Sequence, residues 1–163
     1  MQLKPITAIV VLLLVVVSLL VSGCTTTTTN SGNANTTQTL GGMEVHAQNA
    51  TAPRVDSATP TLSAGHVYVT FNCTVKNINA PSGDAGDITP FYWHLRDNAG
   101  NVYDVTANIY KTTPTVKIFT DLPRSQNGDV MSGYVFFEVP SNHGAWKSLT
   151  YDHAGYTEVT FNL

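Results

Sequence analysis

His66-Val67-Tyr68-Val69-Thr70-Phe71-Asn72-Cys73-Thr74-Val75-Lys76 is the stretch that decides the fold, because it alternates without a break. Val67, Val69, Phe71, Cys73 and Val75 fall on one side of a chain of period two, and Tyr68, Thr70, Asn72, Thr74 and Lys76 on the other. Such a segment is a strand with one face in a core. It places Cys73 among inward side chains and Asn72 on the opposite face. A thiol in that setting is packing rather than chemistry, since reactive cysteines need exposure and a nearby cation.

The same period continues outward from this strand. Phe91, Trp93 and Leu95 alternate with Tyr92, His94 and Arg96, and Asp97-Asn98-Ala99-Gly100-Asn101 supplies turn chemistry before Val102 to Thr106, so a hairpin is expected. Further strands are expected at Gly133 to Val139, Lys147 to Tyr151 and Thr157 to Leu163. Past residue 43 no segment shows a capped helical pattern. Short strands separated by frequent turn signals indicate an all-β, antiparallel β-sandwich. Trp93 and Trp146 are expected in its core, and no inter-sheet disulfide is expected, because the chain has only Cys24 and Cys73.

The series VYVTFNCTVKN, PFYWHLRDNAGNVYDV, NGDVMSGYVFFEVP and LTYDHAGYTEVTFNL, over about residues 62–163, resembles a known family. The family it resembles is the immunoglobulin-like domain of extracytoplasmic lipoproteins classed as domain of unknown function 4352, relatives of a secreted mycobacterial immunoprotective antigen, so the resemblance implies an antiparallel immunoglobulin-like β-sandwich. The resemblance implies a fold and a location outside the cytoplasm. It implies no defined activity.

The N-terminus points to the same place. Lys4, an uncharged and largely apolar run from Ile6 to Val21, and Val21-Ser22-Gly23-Cys24 together form a lipobox-like signal: small residues suit the signal peptidase, and the Cys24 thiol takes the lipid. An uncleaved anchor or a plain secretory signal is the alternative reading, but a spanning helix needs about 20 apolar residues, more than this run supplies. All three export the remainder. The chain thus divides into a signal peptide (1–23), a Thr/Asn/Gly-rich flexible tether (24–42) and the sandwich domain (43–163). As a coil, Thr25 to Gly42 would hold the domain roughly 20 to 25 Å from its anchor. Cys73 is expected to be a free thiol, with a Cys24–Cys73 disulfide left open only if lipidation fails. Asn35, Asn49 and Asn72 each begin an N-glycosylation sequon, and the tether threonines could carry O-linked sugars.

The net charge is −3 over 163 residues, one unit more negative once Lys4 is removed, and no run of Lys or Arg occurs. Nucleic acid is therefore not an expected partner. His46, His66, His94, His143 and His153 lack metal-ligand spacing; His143 and His153 make the best pair, at turns flanking one expected strand. Asp84 with Asp87, and Asp97 with Asn101 and Asp104, offer oxygen ligands but not the order of a calcium loop with its closing Glu. No nucleophile elbow is present, so neither an enzyme nor a cofactor is expected. Tyr92, His94 and Arg96 form an aromatic and cationic stripe on the outward side of one strand and are the candidate binding face. The expected function is that of a membrane-anchored extracytoplasmic lipoprotein. Its partners are the membrane, through lipid on Cys24, and an envelope protein or glycan, held by a non-catalytic module, or the module is structural. The alternative is a solute- or metal-binding lipoprotein working with a membrane transporter or sensor.

Overall fold

The computed structural model describes residues 29–50, 62–80, 86–107, 117–153 and 157–163. The expected signal peptide, Cys24 and Asp84 lie outside them. Among the described residues nine strands are present: β1 (Thr29–Asn33), β2 (Thr37–Leu40), β3 (Met43–Ala50), β4 (His66–Asn77), β5 (Trp93–Asp97), β6 (Val102–Asp104), β7 (Val130–Pro140), β8 (Trp146–His153) and β9 (Thr157–Asn162). They form a five-stranded sheet, β1-β9-β8-β5-β6, and a four-stranded sheet, β2-β3-β4-β7. All pairings are antiparallel except β1 with β9. The chain changes sheet after β1, β4, β6 and β7, so neither sheet closes its core without the other. This is the expected all-β sandwich.

The alternation of β4 positions the core. Ala47, Cys73 and Gly133 sit opposite one another across β3, β4 and β7, with Val45, Val75 and Met131 in the next inward row. From the other sheet come Trp93 and Leu95, Leu149 and Tyr151, and Val159 and Phe161, all buried. Trp93 is the centre of this layer, its ring 4.9 Å from that of Tyr151 and 6.3 Å from those of Phe119 and Phe161. Burying each such side chain contributes about 1.5–3 kcal/mol. Trp146 is only partly buried and packs at the margin, edge-on to Tyr103 and stacked on His143.

Cys73 is fully buried and unpaired, and burial pushes its thiol well above the usual range. It is expected to resist thiol reagents in native buffer and to react only on denaturation. Cys73→Ala should cost on the order of 1 kcal/mol in urea unfolding, and Cys73→Asp far more, because a buried carboxylate would have no partner there.

Two features were not expected from the sequence. Residues 24–42 are not a tether throughout: β1 runs parallel to β9, and β2 pairs with β3 through a two-residue turn at Gly41 and Gly42. Both glycines have positive φ, 58° and 80°, the pattern that aligns a tight hairpin with the strand twist. The second feature is a polar hub. The buried side chain of Asn77 donates from Nδ2 to the Ser125 carbonyl at 2.9 Å and to Ser125 Oγ at 3.0 Å, while its Oδ1 accepts from the amides of Asn79 and Ala80. All four of its hydrogen-bonding positions are filled. They fix the chain beyond β4 against residues 125–129, where Asn77 also pairs its backbone with Gly128 and Asp129.

Candidate functional site

Alternation along β5, β8 and β9 sends one set of side chains inward and the complementary set to the outer face of the five-stranded sheet. Its outward rows follow from the register. Asp104, His94, Thr150 and Thr160 lie side by side across β6, β5, β8 and β9. Val102, Arg96, Ser148 and Asn162 form the next row toward one end, and Asp152 faces Glu158 toward the other. Lys147 joins the Arg96 end, where the register shifts after Arg96 and makes a bulge. Bulges re-aim side chains at the rims of sites.

All of these residues except Asp104 and Asn162 line a surface depression of about 300 Å³, with Arg96 and Lys147 toward one end of the strands, Asp152 and Glu158 toward the other and His94 between them. Its floor is hydroxylic: Thr150 Oγ1 and Thr160 Oγ1 lie 3.1 Å apart. His94 Nδ1 sits 2.8 Å from Asp104 Oδ1, which fixes the imidazole at the β5–β6 side of the depression. Among the described residues Arg96, Lys147, Asp152 and Glu158 carry their charges without an ion-pair partner. The arrangement has hydrogen-bond donors and acceptors and two electrical poles. It suits recognition.

The stripe read as Tyr92, His94 and Arg96 divides in the structure. His94 and Arg96 share the depression, but Pro90–Tyr92 is a 3₁₀ turn rather than part of the strand. The Tyr92 ring therefore meets Tyr151 and His153 edge-on, at 5.8 and 5.0 Å, and is partly buried against the core. Missing from the stripe were Lys147, Asp152 and Glu158, which join it through the β5–β8 and β8–β9 pairings.

The other candidates are accounted for by neighbours. Asp97 is buried, its carboxylate accepting from the Asn101 amide at 2.9 Å, Asn101 Nδ2 at 2.7 Å and the Tyr103 hydroxyl at 3.2 Å. Asp97, Asn101 and Asp104 thus do not converge, since Asp104 belongs to His94. Asp87 accepts from the Arg124 amide at 2.6 Å. His153, read as a surface turn residue, is buried, and burial lowers its pKa so that the ring is neutral at neutral pH. His143 stacks on Trp146 at 4.2 Å, at the opposite end of β8. Among the described residues no three His, Cys, Asp or Glu side chains gather as metal ligands. Asn35, Asn49 and Asn72 are exposed.

The Asp97 carboxyl lies below its ordinary range, chiefly because the Asn101 side chain donates to it, with the Asn101 amide and Tyr103 adding to the effect. Its contribution to stability is complete above the unfolded pKa of about 3.9 and is lost as pH falls through the lower folded value. Acid unfolding followed by circular dichroism should therefore be less steep below that point in Asp97→Asn than in the wild type.

No family model matches the chain, and no curated protein sequence matches it. Similar solved structures do exist. One is MPT63, a secreted protein from Mycobacterium tuberculosis, at 13% identity over 83% of this chain and 98% of that one, with a TM-score of 0.52. Another is the yjhA protein from Bacillus subtilis, at 13% identity over 82% and 98% of the two chains, with a TM-score of 0.53. At this identity the likeness shows a shared fold alone, over nearly the whole length of each of those two chains.

Proposed function

We propose that this chain is a membrane-anchored extracytoplasmic lipoprotein, lipidated at Cys24, whose non-catalytic sandwich binds an envelope protein or glycan through the outer face of the five-stranded sheet. The observation that carries the reading is the charge-segregated depression there, with four ionic side chains that make no ion pair among the described residues. Val21-Ser22-Gly23-Cys24 supports the anchor, and the likeness to a secreted protein of the same architecture accords with export. Membership of domain of unknown function 4352 belongs to the same reading. The solute- or metal-binding alternative draws no support from an open face outside the sandwich, since such ligands are usually enclosed.

Two measurements test it. Mass spectrometry of the membrane fraction should find a chain beginning at lipidated Cys24, and Cys24→Ser should release the protein or leave it unprocessed; an intact Met1 to Gly23 on the mature protein would refute the anchor. A photo-crosslinking residue replacing Val102, which is exposed and lines the depression, should trap an envelope component on intact cells. The same residue at Gln48, on the four-stranded sheet, should not. Equal adducts from both positions would refute the binding face.

A further inference from the structure

The charges of the depression are arranged in a way that folding alone does not favour. Asp152 and Glu158 are direct cross-strand partners of like sign, and Lys147 lies beside Ser148, the partner of Arg96. Like charges placed opposite one another destabilise a sheet, whereas opposite charges would support it. Both poles nevertheless keep like with like, and neither is neutralised by a neighbour among the described residues. Something outside this sheet can offset both.

The spacing narrows what that is. Arg96 is in register with Ser148, and Asp152 lies four positions further along β8, a separation of about 13 Å at a rise near 3.3 Å per residue. Midway lie His94, held by Asp104, and the paired hydroxyls of Thr150 and Thr160. An extended peptide has the same repeat, so its residues i and i+4 point to one side about 13 Å apart, with residue i+2 between them. An anionic membrane surface would meet repulsion at the Asp152 end, and a neutral sugar would leave both poles unanswered.

Resting on the binding reading above, we propose that the depression takes an extended segment of an envelope protein carrying an acidic residue and, four positions away, a basic one. The acidic side chain meets Arg96 and Lys147, the basic one meets Asp152 and Glu158, and a small polar residue between them lies over Thr150 and His94. Charge pairs at such an exposed site are individually weak, so selectivity comes from meeting both poles at once.

The test uses the full chain in detergent micelles and two capped peptides of equal composition, acetyl-Glu-Thr-Ser-Thr-Lys-amide and acetyl-Thr-Glu-Lys-Ser-Thr-amide, which places its charges on opposite sides. Titration followed by fluorescence anisotropy of labelled peptide should show the first binding at least fivefold tighter, with the difference lost in 0.5 M NaCl, where the Debye length is about 4 Å. The double variant Arg96→Glu/Lys147→Glu, with an unchanged thermal midpoint, should lose that preference and favour acetyl-Lys-Thr-Ser-Thr-Lys-amide instead. Equal binding of the two equal-composition peptides, or a preference that survives in the double variant, would overturn the proposal. So would self-association of the wild type that the variant abolishes, or a glycan as the Val102 adduct. If Val102 still traps an envelope protein while the peptides are not distinguished, the peptide chemistry fails and the binding face stands; if both fail, both readings fall.

Discussion

Replacing Trp93 with alanine is expected to cost about 3–5 kcal/mol in urea unfolding, a large share of the about 5–15 kcal/mol that holds an ordinary domain folded. The reason is shape. Trp93 is fully buried against Tyr151, Phe119 and Phe161, rings drawn from β8 and β9 of its own sheet and from the segment that crosses beside β7. Among the described residues its Nε1 has no hydrogen-bond partner, so the loss on substitution is chiefly one of packing. A loss below about 1 kcal/mol, the scale of an ordinary surface-to-core average, would mean that the site collapses around the missing ring. His94→Ala, one position along, should by contrast leave the unfolding midpoint nearly unchanged, because it faces outward.

The second large effect is expected at Gly133. A Cβ built there would lie 2.5 Å from Ile118 C and Phe119 N, both backbone atoms that cannot rotate away. The adjacent chain is held to β7 by the Phe119 amide donating to the Tyr134 carbonyl and the Tyr134 amide donating to the Lys117 carbonyl. Gly133→Val would therefore have to push residues 117–119 off the edge of β7, withdrawing Phe119 from the core. We expect a loss of about 3 kcal/mol or more, at the upper end of overpacking effects. Hydrogen exchange should show early loss of protection at Phe119 and Tyr134; retained protection with wild-type stability would contradict the close approach.

How much of this was readable beforehand depended on whether side chains or pairing made the element. The inward place of Cys73 and the exposure of Asn72 follow from the alternation of β4 alone, as do the cores of β5 and β9. Strand β3 carries the same signal in Met43, Val45 and Ala47, but Ala47 is small and the outward residues resemble a loop, so the period was easy to pass over. Strand β1 has no such signal: Thr-Asn-Ser-Gly-Asn pairs with β9 through backbone groups that composition does not report. In β2 the buried position is Gln38, whose Nε2 reaches the Thr160 carbonyl at 3.0 Å, so a polar residue takes an inward place. The binding face was half legible for a similar reason. His94 and Arg96 belong to one strand, whereas Lys147, Asp152 and Glu158 come beside them only after distant strands pair. Tyr92 was displaced by a local cue, Thr89-Pro90, which opens a 3₁₀ turn with the Thr89 hydroxyl accepting from the Phe91 amide.

The parallel pairing of β1 with β9 has a mechanical consequence. Only Thr25 to Thr28 separate Cys24 from β1, so under the lipid anchoring proposed above a pull from the membrane would reach the described domain at the start of β1. Its rungs from Thr29–Glu158 to Asn33–Asn162 would then bear the load lengthwise and together, instead of opening one after another as a peeled hairpin does. Under that proposed anchoring the domain would resist extraction by tension at its N-terminal end, and would keep its shape while a partner on the neighbouring strands is drawn away.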